Sequence, residues 1–260
     1  MSKESRGKTL TVAVVLSVVC SIALAAAVTL LKPVQDTNKM LDKQRKILAA
    51  AGVLAEGQGS AAEVSREFAR LERYLVTLDT GEFKRIDLQD AYDQRKAAKD
   101  PEQSIALSGE QDIASIKRRA NQADIYVLRN EQGKAERYVL PVSGYGLWST
   151  LHGYLVVGAD ANTVAGITFT EHAETPGLGG EVDNPAWKAL WPGKQVYDAS
   201  GNPVLGLKKG VDPAKPEAVH QVDALSGSTL TSNGVSNLVR FWMGDMGFRK
   251  FLDNVRDSGV

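Results

Sequence analysis

The sequence predicts an α+β protein: one transmembrane helix near the N-terminus, then a curved antiparallel sheet flanked by helices. Three observations carry this reading. An uncharged apolar run covers residues 9–31, β-type runs separated by turn residues follow Ala123, and helical periodicity returns after Asn233.

From Thr9 to Leu31 the run is dominated by Val, Leu, Ile and Ala. As a helix at ~1.5 Å per residue it spans roughly 35 Å, enough for a hydrocarbon core about 30 Å thick. One charge at its centre would cost about 2.5–3.5 kcal/mol, and none is present. Ala23-x-Ala25 and Ala25-x-Ala27 look like cleavage sites, but the apolar run continues through Val28, Leu30 and Leu31. That is longer than a signal-peptide core, so a retained anchor is expected. Basic residues flank both ends: Lys3, Arg6 and Lys8 before, and Lys32, Lys39, Lys43, Arg45 and Lys46 after. Positive charge alone therefore does not orient the helix. A tail as short as residues 1–8 ahead of a large domain has the form of a signal anchor, tail in the cytoplasm and domain outside.

Lys plus Arg and Asp plus Glu each total 31, a formal net charge of zero. Nothing in that balance would neutralise a phosphate backbone, so nucleic acid is not an expected partner. Cys20 is the single cysteine, and His152, His172 and His220 are scattered, so no zinc or iron–sulfur site is expected.

Residues 32–122 read as a helical and polar accessory region. After Pro33, a helix over Thr37–Ala51 places Met40, Ile47 and Leu48 near one face, and Gly52 stops it. Ser60 and Glu63 have capping-box spacing for a second helix, in which Val64, Phe68, Leu71, Leu75 and Leu78 recur at helical intervals before Gly81. Residues 79–120, interrupted by Asp100-Pro101, read as a polar surface excursion with some helix. From Ala123, three hairpins are expected: Ile125–Leu128 with Tyr138–Val142, Tyr154–Val157 with Val164–Phe169, and Val196-Tyr197 with Val204-Leu205. Two helices close the chain, one carrying Val235, Leu238, Val239, Phe241 and Trp242, the other Phe248, Phe251, Leu252 and Val255.

The segment most informative about chemistry is Asp223-Ala224-Leu225-Ser226-Gly227-Ser228-Thr229-Leu230-Thr231-Ser232. Small hydroxylated residues surround a glycine and open a helix, where free N–H groups and the helix dipole favour an anion. Taken alone, these features favour the plainer reading, a polar turn with an N-cap. Gly144-x-Gly146 is not a dinucleotide fingerprint, because no third glycine and no crossover helix follow. Trp187 and Trp191, beside Pro185 and Pro192, read as domain packing, and Trp148 as either an apolar plate or a core residue.

The spacing Asp223-x-x-Ser226-Gly227-Ser228-Thr229 resembles the flavinylation motif Asp-x-x-Ser/Thr-Gly-Ala-Thr of the FMN-carrying subunits of the Na+-translocating NADH:quinone reductase and its ferredoxin-linked relative. The Asn38-x-x-Leu41-Asp42-x-Gln44-x-x-Ile47-Leu48 segment, Gly144-Tyr145-Gly146-Leu147-Trp148-Ser149, Glu171-His172-Ala173-Glu174-Thr175-Pro176-Gly177-Leu178-Gly179 and Phe241-Trp242-Met243-Gly244 are similar to the covalent FMN-binding C-subunit family of the Na+-pumping enzyme. The resemblance makes 123–260 an FMN-binding domain. It implies FMN esterified through its phosphate to Thr229 by a flavin transferase, with Asp223, Ser226 and Gly227 in recognition positions and Ser228 where the family usually has Ala. Thr231 is the neighbouring hydroxyl, and Glu174, Thr175, Leu178, Gly179 and Trp148 are expected around the ring. A flavin-covering loop is favoured here over acid–base or metal chemistry by His172, Glu171 and Glu174, because Pro176-Gly177 and Gly179-Gly180 let backbone press on a flat ring.

The implied role is an electron relay, not catalytic alone, that passes electrons toward quinone as Na+ is exported. It would sit in a bacterial inner membrane with its domain in the periplasm, against the adjoining FMN-bearing membrane subunit. The alternatives are the ferredoxin:NAD complex, or an anchored binding module whose Ser-Gly-Ser-Thr loop stays unmodified.

Overall fold

The computed structural model describes residues 6–88 and 90–258. Residues 1–5, most of the tail assigned above, lie outside the described residues, as do 89, 259 and 260. In chain order the elements are α1 (Arg6–Ala50), α2 (Ala61–Phe68), β1 (Glu72–Thr77), β2 (Phe83–Ile86), α3 (Gln94–Ala97), β3 (Ser104–Ala106), β4 (Arg118–Ala120), β5 (Gln122–Arg129), β6 (Ala135–Tyr145), β7 (Thr150–Gly158), β8 (Val164–Glu171), α4 (Pro185–Lys188), β9 (Gly206–Lys208), β10 (Gln221–Asp223), α5 (Thr229–Met243) and α6 (Arg249–Ser258). The chain divides into two compact units, Met1–Lys43 and Gln44–Val260.

The first unit is helical where described, and α1 is long and apolar enough to cross a membrane. Pro33 lies inside α1, so the two helices expected on either side of it are one. A proline withdraws the N–H that the Thr29 carbonyl would have used, but residues that favour helix carry the turn onward.

In the second unit, β2-β1-β5-β6-β7-β8 form one sheet whose neighbours are all antiparallel. Register shifts at Leu128/Arg129, His152/Gly153 and Val156/Val157 add local twist and bend. One face carries Ile125, Val127, Leu140, Val142, Leu151 and Leu155 into a core with Val235, Leu238, Val239, Phe241 and Phe251 of the last two helices. The other carries Tyr126 and Tyr154, with Phe68 of α2 edge-on to Tyr126 at 5.3 Å. Both faces are covered, which is why the strands read as continuous apolar runs and not as alternating ones.

Two hairpins match their sequence expectation, β5–β6 and β7–β8. The third does not: only an isolated bridge joins Tyr197 to Pro203. The helix expected through Leu78 ends at Phe68, and Leu75 and Val76 lie in β1 instead. Within 79–120, β2 extends the main sheet beyond β1, and Gln44–Val260 is one compact unit that takes in both sides of residue 122. Buried arginines do the tying. Arg73 donates to the carbonyls of Asp90 (2.8 Å) and Tyr92 (2.9 Å) and to Asp124 (3.0 Å), and Arg119 donates to the Met246 carbonyl (2.9 Å).

The last turn of α1 belongs to this unit. Ile47 and Leu48 are fully buried, and a Cβ on Gly166 of β8 would come within 2.3 Å of the Ala50 carbonyl oxygen. A polypeptide beginning at Pro33 should therefore fold and remain soluble, whereas one beginning at Gly52 loses two large core side chains, each worth about 2–5 kcal/mol. Urea unfolding of the two truncated polypeptides checks this; equal midpoints would refute the assignment of Ile47 and Leu48 to the core.

Burial holds the His152 imidazole well below its ordinary value, at about 4, and Arg95 and Lys99 push the same way against Glu171. Its folded pKa lies below its unfolded one, so the associated stability is complete above about 6.5 and is lost as pH falls toward 4. Allowing for its partial exposure, the loss is about 1–2 kcal/mol. Urea midpoints at pH 7.5 and 5 should differ accordingly, and His152→Asn should shrink the difference. An undiminished difference would remove His152 as its source.

Candidate functional site

At one end of the sheet, three segments converge: the turn 146–149 between β6 and β7, the loop 172–178 that leaves β8, and the N-terminus of α5. Helix α5 is seated close to β6 because residue 234 is glycine: a Cβ there would lie 2.3 Å from the Tyr145 carbonyl oxygen. The Trp242 indole N–H donates to the Ser143 carbonyl at 2.7 Å and holds the other end of the contact.

Glu174 joins all three segments. Its carboxylate accepts the backbone N–H groups of Leu147 (3.1 Å), Trp148 (2.9 Å) and Ser149 (3.3 Å), and the Thr231 hydroxyl at 2.6 Å. Glu174 is 5% exposed and Thr231 1%. Burial alone would raise the carboxyl pKa, but the Thr231 hydroxyl and the three backbone donors outweigh it, so the net shift is downward and the group is ionised. Bare backbone closes over the pair: a Cβ on Gly146 would stand 2.7 Å from a Glu174 oxygen, and one on Gly179 2.6 Å from the Thr231 oxygen. The Glu174 N–H donates to His172 Nδ1 (3.2 Å), leaving Nε2 to donate to Asp183 (3.0 Å). His172 thus braces the loop.

Thr175-Pro176-Gly177-Leu178 is a tight turn, with Leu178 N–H on the Thr175 carbonyl at 3.1 Å and Gly177 at φ +76°. The same carbonyl accepts the Gly180 N–H at 2.9 Å, which starts the 3₁₀ turn Gly179–Asp183. Leu178 lies against the second loop, its Cδ2 3.1 Å from where a Gly227 Cβ would stand, and Gly227 itself has φ +71°. Ser226 and Gly227 form an exposed turn, while Ser228 is buried and makes no side-chain cap to α5. Thr229 is the first residue of α5 and is exposed. Asp223 ends β10; its carboxylate accepts the Val211 N–H at 3.0 Å, and its carbonyl accepts the Trp187 indole N–H at 2.9 Å. It fixes the strand leading into the loop.

The structure therefore gathers Trp148, Glu174, Thr175, Leu178, Gly179, Ser226, Gly227, Ser228, Thr229 and Thr231 at one site, with Asp223 exposed at the end of the strand that leads into it. Trp148 is 64% exposed, which rules out the core alternative. With Leu178 at 44% and Leu230 at 59%, it gives the site an apolar rim. Trp187 and Trp191 are buried edge to face at 5.4 Å, as packing residues. Sequence reasoning missed three residues of the site: Leu147 and Ser149, which donate to Glu174, and Gly234, which seats α5. The glycine in an otherwise good helix was the one available signal for the last of these.

A family model described as an FMN-binding domain matches residues 146–244, which hold every segment of this site. The C subunit of the Na(+)-translocating NADH-quinone reductase of Pseudomonas aeruginosa is 52% identical over 259 residues, covering 98% of each chain. The protein of the same name from Yersinia pestis is 45% identical over 260 residues, covering all of this chain and 96% of its own. Among solved structures, Shewanella oneidensis NqrC superposes with a TM-score of 0.74 at 40% identity, covering 82% of this chain and 96% of that one. The C subunit from Parabacteroides distasonis gives 0.64 at 27% identity, covering 85% and 96%. Identity of this extent over nearly the whole length, on the same fold, places the chain in the NqrC family, the C subunits of the Na+-translocating NADH-quinone reductase.

Proposed function

We propose that this chain is the anchored one-electron relay of a Na+-translocating NADH:quinone reductase, carrying FMN as a phosphoester on Thr229. The observation that carries the assignment is the contrast between two hydroxyls. Thr229 is exposed at the start of a helix whose N-cap residue supplies no capping side chain, whereas the Thr231 hydroxyl is buried and donated to Glu174. The residues fit the group. Free N–H groups and the dipole of α5 favour a phosphate at its N-terminus, and the Trp148–Leu178 rim offers apolar surface to a planar ring.

Bound FMN would supply the electron exchange that these side chains lack. The chain's own part is to hold and orient: Thr229 fixes the phosphate end, Gly227 lets the backbone approach, and Trp148 and Leu178 shield the ring from water. Helix α1 would anchor the protein in the inner membrane with the domain in the periplasm, within reach of an FMN-bearing membrane subunit, and electrons would continue toward quinone as Na+ is exported. A flavin transferase is required for maturation.

Polypeptide made alongside a flavin transferase should stay yellow after denaturation, with the FMN mass on the peptide containing Thr229. A colourless polypeptide would refute the reading. Leu178→Ala should keep the covalent flavin but shift its absorption spectrum and midpoint potential, because water gains access to the ring. An unchanged spectrum and potential would place the ring away from Leu178.

A further inference from the structure

We infer that Glu174, without touching the cofactor, is a positioning residue whose fixed negative charge lowers the reduction potential of the flavin. The inference rests on attachment at Thr229. Every hydrogen bond described for the carboxylate comes from a neutral donor: three backbone N–H groups and the Thr231 hydroxyl. Among the described residues no Lys or Arg forms an ion pair with it, in contrast to Glu72, which pairs with Arg85 and Arg129. His172, two residues before it, turns its Nδ1 lone pair to the Glu174 N–H and its other nitrogen to Asp183. The charge at Glu174 is thus buried, ionised and, among the described residues, without an ion-pair partner.

The converging donors also select a carboxylate. Two oxygens accept from Leu147, Trp148, Ser149 and Thr231, whereas an amide would turn an N–H toward one of those donors. Thr231 follows Thr229 by two residues, ~3 Å along the axis of α5 but about 200° round it, so the charge lies on the buried face of the helix turn that carries the proposed attachment point on its exposed face. It also sits directly under the backbone of Trp148, the plate of the apolar rim. A unit charge on the order of 10 Å from the ring, at an effective dielectric constant of about 20, opposes the gain of each electron by roughly tenfold in the equilibrium constant. For a one-electron step, tenfold corresponds to 59 mV.

The test is spectroelectrochemical titration of the full-length flavinylated chain and of two variants. Glu174→Gln removes the charge and keeps the shape, so it should retain covalent flavin and raise the midpoint potential by a shift equivalent to about tenfold per electron. Thr231→Val removes one donor and keeps the charge, so its potential should not rise. An unchanged potential in Glu174→Gln overturns the inference, as does an equal rise in both variants, which would mean that loosened loops are the cause. A folded Glu174→Gln without covalent flavin also overturns it, by assigning the carboxylate to attachment. Should Glu174→Gln fail to fold, Thr231→Val decides: a rise overturns the inference, and an unchanged or lower potential supports it. Absence of covalent flavin from the unaltered chain would instead refute attachment at Thr229.

Discussion

Thr229→Val should leave a folded polypeptide with no covalent flavin, its fluorescence in a denaturing gel falling to background, while Thr231→Val keeps the signal. Valine has nearly the shape of threonine but no oxygen to esterify. Thr229 is exposed at the first position of α5, so the exchange should alter stability by no more than about 0.5 kcal/mol. Loss of flavin could then not be blamed on unfolding, and circular dichroism of the same sample would verify that. Thr231 is a different case. Its hydroxyl is engaged with Glu174 in the interior, where no transferase could reach it without opening the site. Fluorescence that survives in Thr229→Val, or vanishes only in Thr231→Val, would transfer the attachment point.

The second large effect is on stability. Trp242→Ala should cost about 3–5 kcal/mol, the range for emptying a large aromatic site in a core. The residue is 2% exposed, packs against Phe241 and Phe248 at centroid distances of 5.4 and 5.6 Å, and its indole N–H satisfies the Ser143 carbonyl. Removing it leaves a cavity and an unpaired buried acceptor on β6. At roughly 2–4 °C per kcal/mol for a unit of this size, the melting temperature should fall by about 10 °C. Trp242→Phe should recover most of the packing but not the hydrogen bond, and should fall between. A melting temperature within about 2 °C of the parent for Trp242→Ala would mean that α5 is not held to the sheet by this contact.

Much of this architecture was legible in the sequence where local pattern and tertiary environment agree. The apolar run of α1, the paired runs of β5–β6 and β7–β8, and the amphipathic spacing of α5 and α6 each signal one kind of element. The stretch from Val64 to Leu78 shows how the reading fails. Its apolar residues recur every three or four positions, yet α2 ends at Phe68 and β1 begins at Glu72. A helix followed by a short turn and a strand satisfies that spacing as well as one long helix does. Arg73 can lie buried in β1 only because the Asp90 and Tyr92 carbonyls and the Asp124 carboxylate accept from it, partners that no local pattern displays.

The loops of the site could be named from their residues, but their meeting could not. The Thr231 hydroxyl on Glu174 joins positions 57 apart, and no single sequence displays such a pairing. The parallel pair β9–β10 was missed for a related reason: two three-residue strands, remote in the chain, carry no periodicity of their own.

The convergence on Glu174 also has a kinetic consequence. Its donors lie 25 to 27 residues away on one side and 57 on the other, so none of these bonds forms as part of a local helix or turn. Each must wait for a loop to close, an entropic cost that grows with the logarithm of its length. β6, β7 and β8 have to find their register, and α5 has to dock on β6, before all the donors can face one carboxylate. Contacts of such sequence separation slow folding and complete late. A nascent domain therefore presents Thr229 on a stretch of polypeptide that has yet to acquire its surroundings, and the setting of that hydroxyl is a mark that the domain has finished folding.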